Sequence, residues 1–282
     1  MIQVIATTPY TDQKMGTAGL RKKSKVVMQE HYFENFLQSI FNTIDPAGKT
    51  FVVGGDGRFY NSIAIQKLIK MAAANGVKKL IVGQNGFLST PASSNMILKR
   101  RTDGGFVLSA SHNPGGENGD FGIKFATETG GQCSSRVSDR IFAVSQTISE
   151  FKTVDAADID LSRLGTQNLE GMEIEIVDPI SDYVELMEKI FDFELIKKMF
   201  ANGFTMRFDA MNAVTGPYAI RIFEEILGAA KGSVLNAVPK PDFGGLHPDP
   251  NLVYAKELVN IMYADDAPDF GAANDGDGDR NM

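Results

Sequence analysis

At 282 residues with 43% apolar side chains, the chain can bury a sizeable core, and its length suggests about two domains. A net charge of −7 excludes a nucleic-acid protein of the kind that needs a broad basic face; the one dense basic run, Arg21-Lys22-Lys23-Ser24-Lys25, reads as a solvated helix entrance. The single cysteine, Cys133, rules out an internal disulfide framework, and there is neither a secretory signal nor an apolar run of the roughly 18 residues a membrane span needs, so a cytoplasmic location is expected.

Residues 1–23 read as irregular or extended and carry Gly16-Thr17-Ala18-Gly19-Leu20-Arg21, a turn-rich loop ending in a guanidinium. Val27, Phe33, Phe36, Leu37, Ile40 and Phe41 recur at helical spacing, which predicts one helix over 26–44 with His31 inside it. Phe51-Val52-Val53 is a short strand broken by Gly54-Gly55-Asp56-Gly57. A helix over 62–74 stops at Asn75-Gly76, and a strand follows over 79–82. Strand, helix and strand in that order make a βαβ unit, hence an α/β fold with part of its sheet parallel. Phe106-Val107-Leu108 is the next buried strand, 120–125 a strand running back from the turn after it, and 134–148 a helix.

Residues 150–170 are polar and poorly periodic and read as a surface excursion, whereas Met172–Val177 alternates as a half-exposed strand does. A second unit opens with a helix over 183–200 and a strand over 204–208. The next helix, 217–227, has Pro217 in its first turn and Gly228 just past its end. A Pro-, Gly- and Asp-rich loop over 239–251, a helix over 254–263 and a strand over 269–273 complete the chain. The expected architecture is two consecutive α/β domains, 1–182 and 183–282, with mixed, partly parallel sheets flanked by helices. The second is expected to be truncated, because a strand and its ligand loop with nothing after them suggest a fragment of something longer.

Chemistry concentrates in two loops. Ser109-Ala110-Ser111-His112-Asn113-Pro114-Gly115-Gly116 follows a buried strand, and its Pro and Gly residues make a sharp turn, the glycines accepting φ > 0. Alone this octapeptide reads as an ordinary surface turn; as a site it would hold a serine hydroxyl where a ligand can approach closely. Asp275, Asp277 and Asp279, alternating with glycine, place three carboxylates on one side of a curling backbone. Hard oxygen donors so close repel one another unless a divalent cation sits among them, and Arg280 adds a charge suited to phosphate. The alternative is an acidic solvated loop.

Other motifs fail. A calcium EF-hand loop needs Gly where Arg280 stands and a Glu beyond the last residue. Gly48-Lys49-Thr50 lacks the P-loop's leading glycine, Gly55-Asp56-Gly57 has Tyr60 where a dinucleotide fingerprint has its third glycine, and Ser111 is not in a Gly-x-Ser-x-Gly elbow. His31, His112 and His247 show no zinc-ligand spacing, and His247 reads as a loop constituent. A serine, a tricarboxylate, arginines, a histidine and a lysine suit phosphoryl transfer, which depends mostly on charge and position.

Ser109–Phe125 and Asp269–Met282 resemble the active-serine and metal loops of eukaryotic-type phosphoglucomutase, in the α-D-phosphohexomutase superfamily. The likeness extends through Gly16–Lys22, Gly54–Tyr60, Leu88–Ala92, Asp209–Tyr218 and Pro241–Leu252. It implies an isomerase that interconverts glucose 1-phosphate and glucose 6-phosphate through a phosphoserine and a glucose 1,6-bisphosphate intermediate. Ser111 would carry the phosphoryl group, and Asp275, Asp277 and Asp279 would bind Mg²⁺ together with a phosphoserine oxygen of Ser111. Arg21, Arg280, Thr17 and Asn113 would contact phosphate or substrate. Lys124 or His112 would move the hydroxyl proton, with Lys124 preferred.

The spacing of 164 residues from Ser111 to Asp275 resembles the longer glucose-type branch of the superfamily. Three positions depart from the pattern: Ala18 for a serine, Asn212 for a histidine and Asn274 for a bulky apolar residue. In the family a third and a fourth domain supply sugar and distal-phosphate recognition, so this chain, expected to lack both, is expected to turn over poorly alone. A monomer is expected. The alternative is a non-catalytic relative acting as a scaffold in cytoskeletal or membrane-trafficking interactions, against which the intact Ser111, His112, Asn113 and aspartates count.

Overall fold

The computed structural model describes residues 1–282. In chain order the first unit comprises β1 (Ile2–Ala6), β2 (Leu20–Lys23), α1 (Ser24–Val27), α2 (Tyr32–Ile44), β3 (Thr50–Gly55), α3 (Asn61–Ala74), β4 (Lys79–Phe87) and α4 (Thr90–Arg100). It continues through β5 (Gly104–Leu108), β6 (Asp120–Thr127), α5 (Ser135–Ser145), β7 (Glu150–Val154), β8 (Gly165–Leu169) and β9 (Met172–Val177). Its main sheet has seven strands in the order β2-β6-β5-β3-β4-β9-β8. The central pairs β5/β3, β3/β4 and β4/β9 are parallel, and the outer pairs β2/β6, β6/β5 and β9/β8 are antiparallel.

Central strands buried on both faces need continuous apolar sequence, which β3 and β5 supply. Val53, Leu80 and Val82 face the core shared with α2 and α3, whereas Val52 and Ile81 face Ala92, Met96 and Ile97 of α4. That placement follows from right-handed crossovers leaving β3 and β4 in opposite directions. Gly55 of β3 lies beside Leu108 of β5, so the loops leaving the carboxyl ends of these strands, 56–60 and 109–116, are neighbours. Ligand crevices in α/β sheets open at such ends.

The second unit is smaller: α6 (Ser181–Ile190), α7 (Phe193–Ala201), β10 (Met206–Asp209), α8 (Thr215–Ala219) running into a π-helical segment Ile220–Ile226, β11 (Val234–Leu235), α9 (Lys256–Met262) and β12 (Phe270–Ala273). Its sheet, β11-β10-β12, is parallel throughout, not mixed. Tyr218 and Val214 pack into the α4 face of the first unit, and the Tyr218 hydroxyl donates to the Pro179 carbonyl at 3.0 Å. Asp182 of α6 accepts from Lys99 at 2.7 Å and Arg100 at 2.9 Å, tying α6 to α4.

Four expectations change. The helix over 26–44 is two, because the chain turns through His31 in the left-handed region (φ 58°), so His31 lies outside the helix with its ring edge-on to Phe151. The helix over 183–200 also breaks, since the Asp192 carboxylate caps α7 by accepting from Leu195 N at 2.9 Å. The supposed surface excursion 150–170 contains β7, paired with β1, and the edge strand β8. Helix α4 was not foreseen; its polar sequence hides a Ser89 cap that accepts from Ala92 N, with a proline in the first turn.

Phe106 lies at the centre of the larger core, with its ring 5.3–5.7 Å from those of Phe41, Phe51 and Phe125. Phe106→Ala is expected to lower stability by about 3–5 kcal/mol in urea unfolding. Burial pushes the Asp182 carboxyl up, but hydrogen bonds and charge from Lys99 and Arg100 more than offset this, so its pKa is lowered. A carboxylate depressed in the folded state stabilises fully above its unfolded pKa, about 3.9, and loses that contribution as pH falls through the folded value. The stability difference between the wild type and Asp182→Asn should therefore shrink on acidification below about pH 4.

Candidate active site

Ser111 follows β5 by three residues, fully buried, with its backbone in the left-handed region at φ 56°. Such a conformation costs a side-chain-bearing residue about 1–2 kcal/mol, so the surroundings must hold it. The sequence assigned positive φ to the glycines of this loop; Gly116 adopts it (φ 85°), but so does the serine. Ser111 N donates to Ser109 Oγ at 2.7 Å. The Ser111 carbonyl accepts from Arg58 Nη2 at 2.7 Å, and Arg58 Nη1 reaches the carbonyls of Asn113 at 3.3 Å and Asp120 at 2.8 Å. Arg58 in turn pairs with Asp56, Nε to Oδ2 at 2.9 Å and Nη2 to Oδ2 at 2.9 Å, both side chains being wholly buried. The Asn113 side chain donates to Asp120 Oδ2 at 3.0 Å, so its amide pins the loop rather than projecting from it.

The aspartate loop leaves β12 and closes on itself: Asp275 Oδ1 accepts from the amides of Asp279 at 3.0 Å and Arg280 at 3.2 Å. A Cβ on Gly276 would lie 2.5 Å from the Ser111 carbonyl, so only glycine lets this loop rest against the serine. Ser111 Oγ donates to Asp275 Oδ2 at 2.6 Å. Asp277 Oδ2 accepts from Thr90 Oγ1 at 2.7 Å and Lys124 Nζ at 2.5 Å, and Lys124 also reaches Asp279 Oδ2 at 3.2 Å. One oxygen from each of the three aspartates falls within 4.8 Å of the others. Asp275 and Asp277 are fully buried and Asp279 is exposed.

Burial and the neighbouring Asp277 push the Asp275 carboxyl up to about 7. Burial acts on Asp277 in the same sense, but the charge and hydrogen bond of Lys124 and the Thr90 hydroxyl outweigh it, and its pKa is lowered. Asp277 Oδ1 is buried with no hydrogen-bond partner. Two adjacent buried carboxylates of which only Asp277 meets the lysine, with its Oδ1 left unpaired, are a donor set that a hard divalent cation would complete.

Around this centre, Arg280 Nη1 contacts His112 Nδ1. Partial burial and the Arg280 charge lower the His112 pKa, so its ring is uncharged at neutral pH. His247, expected to be a plain loop constituent, stands 6.4 Å from the His112 ring and stacks on Tyr254 at 4.2 Å. Arg21 lies on β2 opposite Gly122, its Nε buried without a partner. Thr17 is exposed at the tip of the turn closed by Gly16 and Gly19, and no hydrogen bond joins it to the cluster. Ser111, Lys124, the three aspartates, His112 and Arg280 are thus brought together, and Thr17 is not in contact with them. Sequence reasoning missed Asp56, Arg58 and Thr90 as contributors. Asp56-Gly57-Arg58 and Thr90 lie inside two stretches of the family resemblance, Gly54–Tyr60 and Leu88–Ala92, but the resemblance assigns them no role.

The family model described as phosphoglucomutase/phosphomannomutase, alpha/beta/alpha domain I, matches residues 12–152, and the model for domain II matches residues 181–282. A phosphoglucomutase of Rhizobium radiobacter is 56% identical, the match covering 100% of this chain and 52% of that protein. A cytoplasmic phosphoglucomutase of Populus tremula is 50% identical over 99% of this chain and 51% of its own length. The crystal structure of parafusin from Paramecium, an exocytosis-sensitive phosphoprotein and phosphoglucomutase, superposes with a TM-score of 0.96 at 46% identity, covering 100% of this chain and 54% of that one. The chain spans about half the length of the curated relatives it matches. With both family models matched in order, one over the stretch that bears the buried serine and the other over the stretch that bears the aspartate loop, the chain belongs to the phosphoglucomutase/phosphomannomutase family.

Proposed function

We propose that these residues carry the phosphoryl-exchange chemistry of a phosphoglucomutase. Residues 1–182 would supply the serine and residues 183–282 the carboxylates. The observation that carries this reading is the 2.6 Å hydrogen bond from Ser111 Oγ to Asp275, inside a carboxylate triad that also holds Lys124. Phosphorylated Ser111 donates its phosphoryl group to a hydroxyl of glucose 1-phosphate or glucose 6-phosphate. The bond from phosphorus to the serine oxygen breaks, a bond to the sugar oxygen forms, and the sugar hydroxyl proton leaves. Lys124 would move that proton as a neutral amine, after releasing a proton from the ammonium that here donates to Asp277 and Asp279; His112, whose ring is uncharged, is the other acceptor. Glucose 1,6-bisphosphate then reorients and returns its other phosphoryl group to Ser111.

Asp275, Asp277, Asp279 and a phosphoserine oxygen would hold Mg²⁺, which supplies charge neutralisation to the transferring group. Arg21 and Arg280 would contact the same phosphoryl oxygens, where a fixed cation is stronger than in water. Thr17 and the Asn113 loop would act on the substrate side. A monomer in the cytoplasm is part of the same proposal; no helix is long and apolar enough to cross a membrane.

A second reading is favoured by the likeness to parafusin, whose description as an exocytosis-sensitive phosphoprotein fits a scaffold role in membrane trafficking. The two readings separate on chemistry. Incubation with glucose 1,6-bisphosphate and Mg²⁺ is expected to phosphorylate Ser111, as read by peptide mass spectrometry, and glucose 1-phosphate to discharge it. A Ser111 that stays bare would favour the scaffold. Asp277→Asn is expected to slow phosphorylation by about a hundredfold or more and to weaken Mn²⁺ binding in an EPR titration, while leaving scaffold contacts intact. Steady turnover of glucose 1-phosphate by the 282 residues alone is expected to be slow, because the family resemblance assigns anchoring of the non-reacting phosphate to other segments.

A further inference from the structure

Phe243 belongs to the second unit, yet its fully buried ring lies under the guanidinium of Arg58, 5.1 Å from Cζ to the ring centroid. The same ring abuts both reactive loops. A Cβ on Gly115 of the serine loop would sit 2.8 Å from it, and one on Gly276 of the aspartate loop 3.3 Å. The adjoining Pro241 carbonyl accepts from Phe59 N at 2.8 Å, next to Arg58, and from Gly116 N at 3.1 Å. At its other end this segment is anchored in the second unit, where Lys240 N donates to the Asn212 carbonyl at 2.9 Å and Asn212 Nδ2 to Val238 O at 3.1 Å.

Arg58 has no solvent to fall back on, and its donors are committed to Asp56 and to the carbonyls of Ser111, Asn113 and Asp120. Asp56 fixes the guanidinium from one side and the Phe243 face bounds it from another. We infer that Arg58 and Phe243 form a latch that makes the left-handed, transfer-ready conformation of Ser111 conditional on the seating of segment 241–243. Both are positioning residues: neither touches the serine hydroxyl, and each acts through the Ser111 backbone. The latch couples docking of the second unit to reactivity of a side chain in the first. It rests on the phosphoserine reading above.

Single-turnover phosphorylation of Ser111 by glucose 1,6-bisphosphate with Mg²⁺ tests it, with the rate constant separated from the half-saturating bisphosphate concentration. Phe243→Leu keeps the volume apolar and removes the ring face. It is expected to lower the rate constant about tenfold and to move half-saturation less than twofold, with a cooperative thermal transition retained. The paired change Asp56→Asn with Arg58→Met leaves no unpaired buried charge and is expected to lose about a hundredfold in the same rate constant. If folded variants of both kinds stay within threefold of the wild-type rate constant, or change half-saturation alone, the latch is overturned. A wild-type chain that never becomes phosphorylated overturns the phosphoserine reading instead.

Discussion

Burying negative charge beside a serine is the constraint to which the rest of this structure answers. Asp275 and Asp277 are fully enclosed: Asp277 keeps its charge beside Lys124, whereas Asp275, held only by hydrogen-bond donors, is pushed up to about 7. Lys124, itself 2% exposed, comes from the middle of β6; Thr90 comes from the start of α4; the amides of Asp279 and Arg280 come from the loop itself. Each of these groups needs its own element held in place. The seven-stranded sheet, with Lys124 on the strand next to β5, is the frame that does this.

Much of that frame was legible because central parallel strands announce themselves. Phe51-Val52-Val53 and Phe106-Val107-Leu108 are too apolar to lie anywhere but inside, and the glycines after them mark where the chain must turn. Edge strands carry no such signal. β8 is mostly exposed and β7 half so, which makes their sequence read as loop. Helix breaks were hidden for a different reason: the apolar period of 26–44 survives His31 unchanged, and only the backbone reveals the reversal. At Asp192 a side chain competes with the helix for its own amides, a local choice that periodicity does not register.

In the site, the alternation of aspartate with glycine was readable because carboxylates at that spacing have few other uses. The resemblance gives Lys124 a proton-moving role, but its contact with Asp277 lies outside what spacing can show. Arg58 escaped notice because an arginine three residues after a strand looks like a solvated charge. Its burial depends on Asp56 and on carbonyls 53 and 62 residues away, and no local pattern encodes a partner at that distance.

The contact between Ser111 and Asp275 closes a span of 164 residues, and the aspartates occupy the last strand-to-loop passage of the second unit. Contacts that close so long a loop form late, since the entropy of bringing the ends together is spent before any bond repays it. During synthesis, the first unit can complete its seven-stranded sheet while the acidic loop has yet to emerge. The nascent chain therefore carries a serine without its carboxylates until the second unit docks. Assembly order, written into the distance between two side chains, decides when the serine meets its carboxylates.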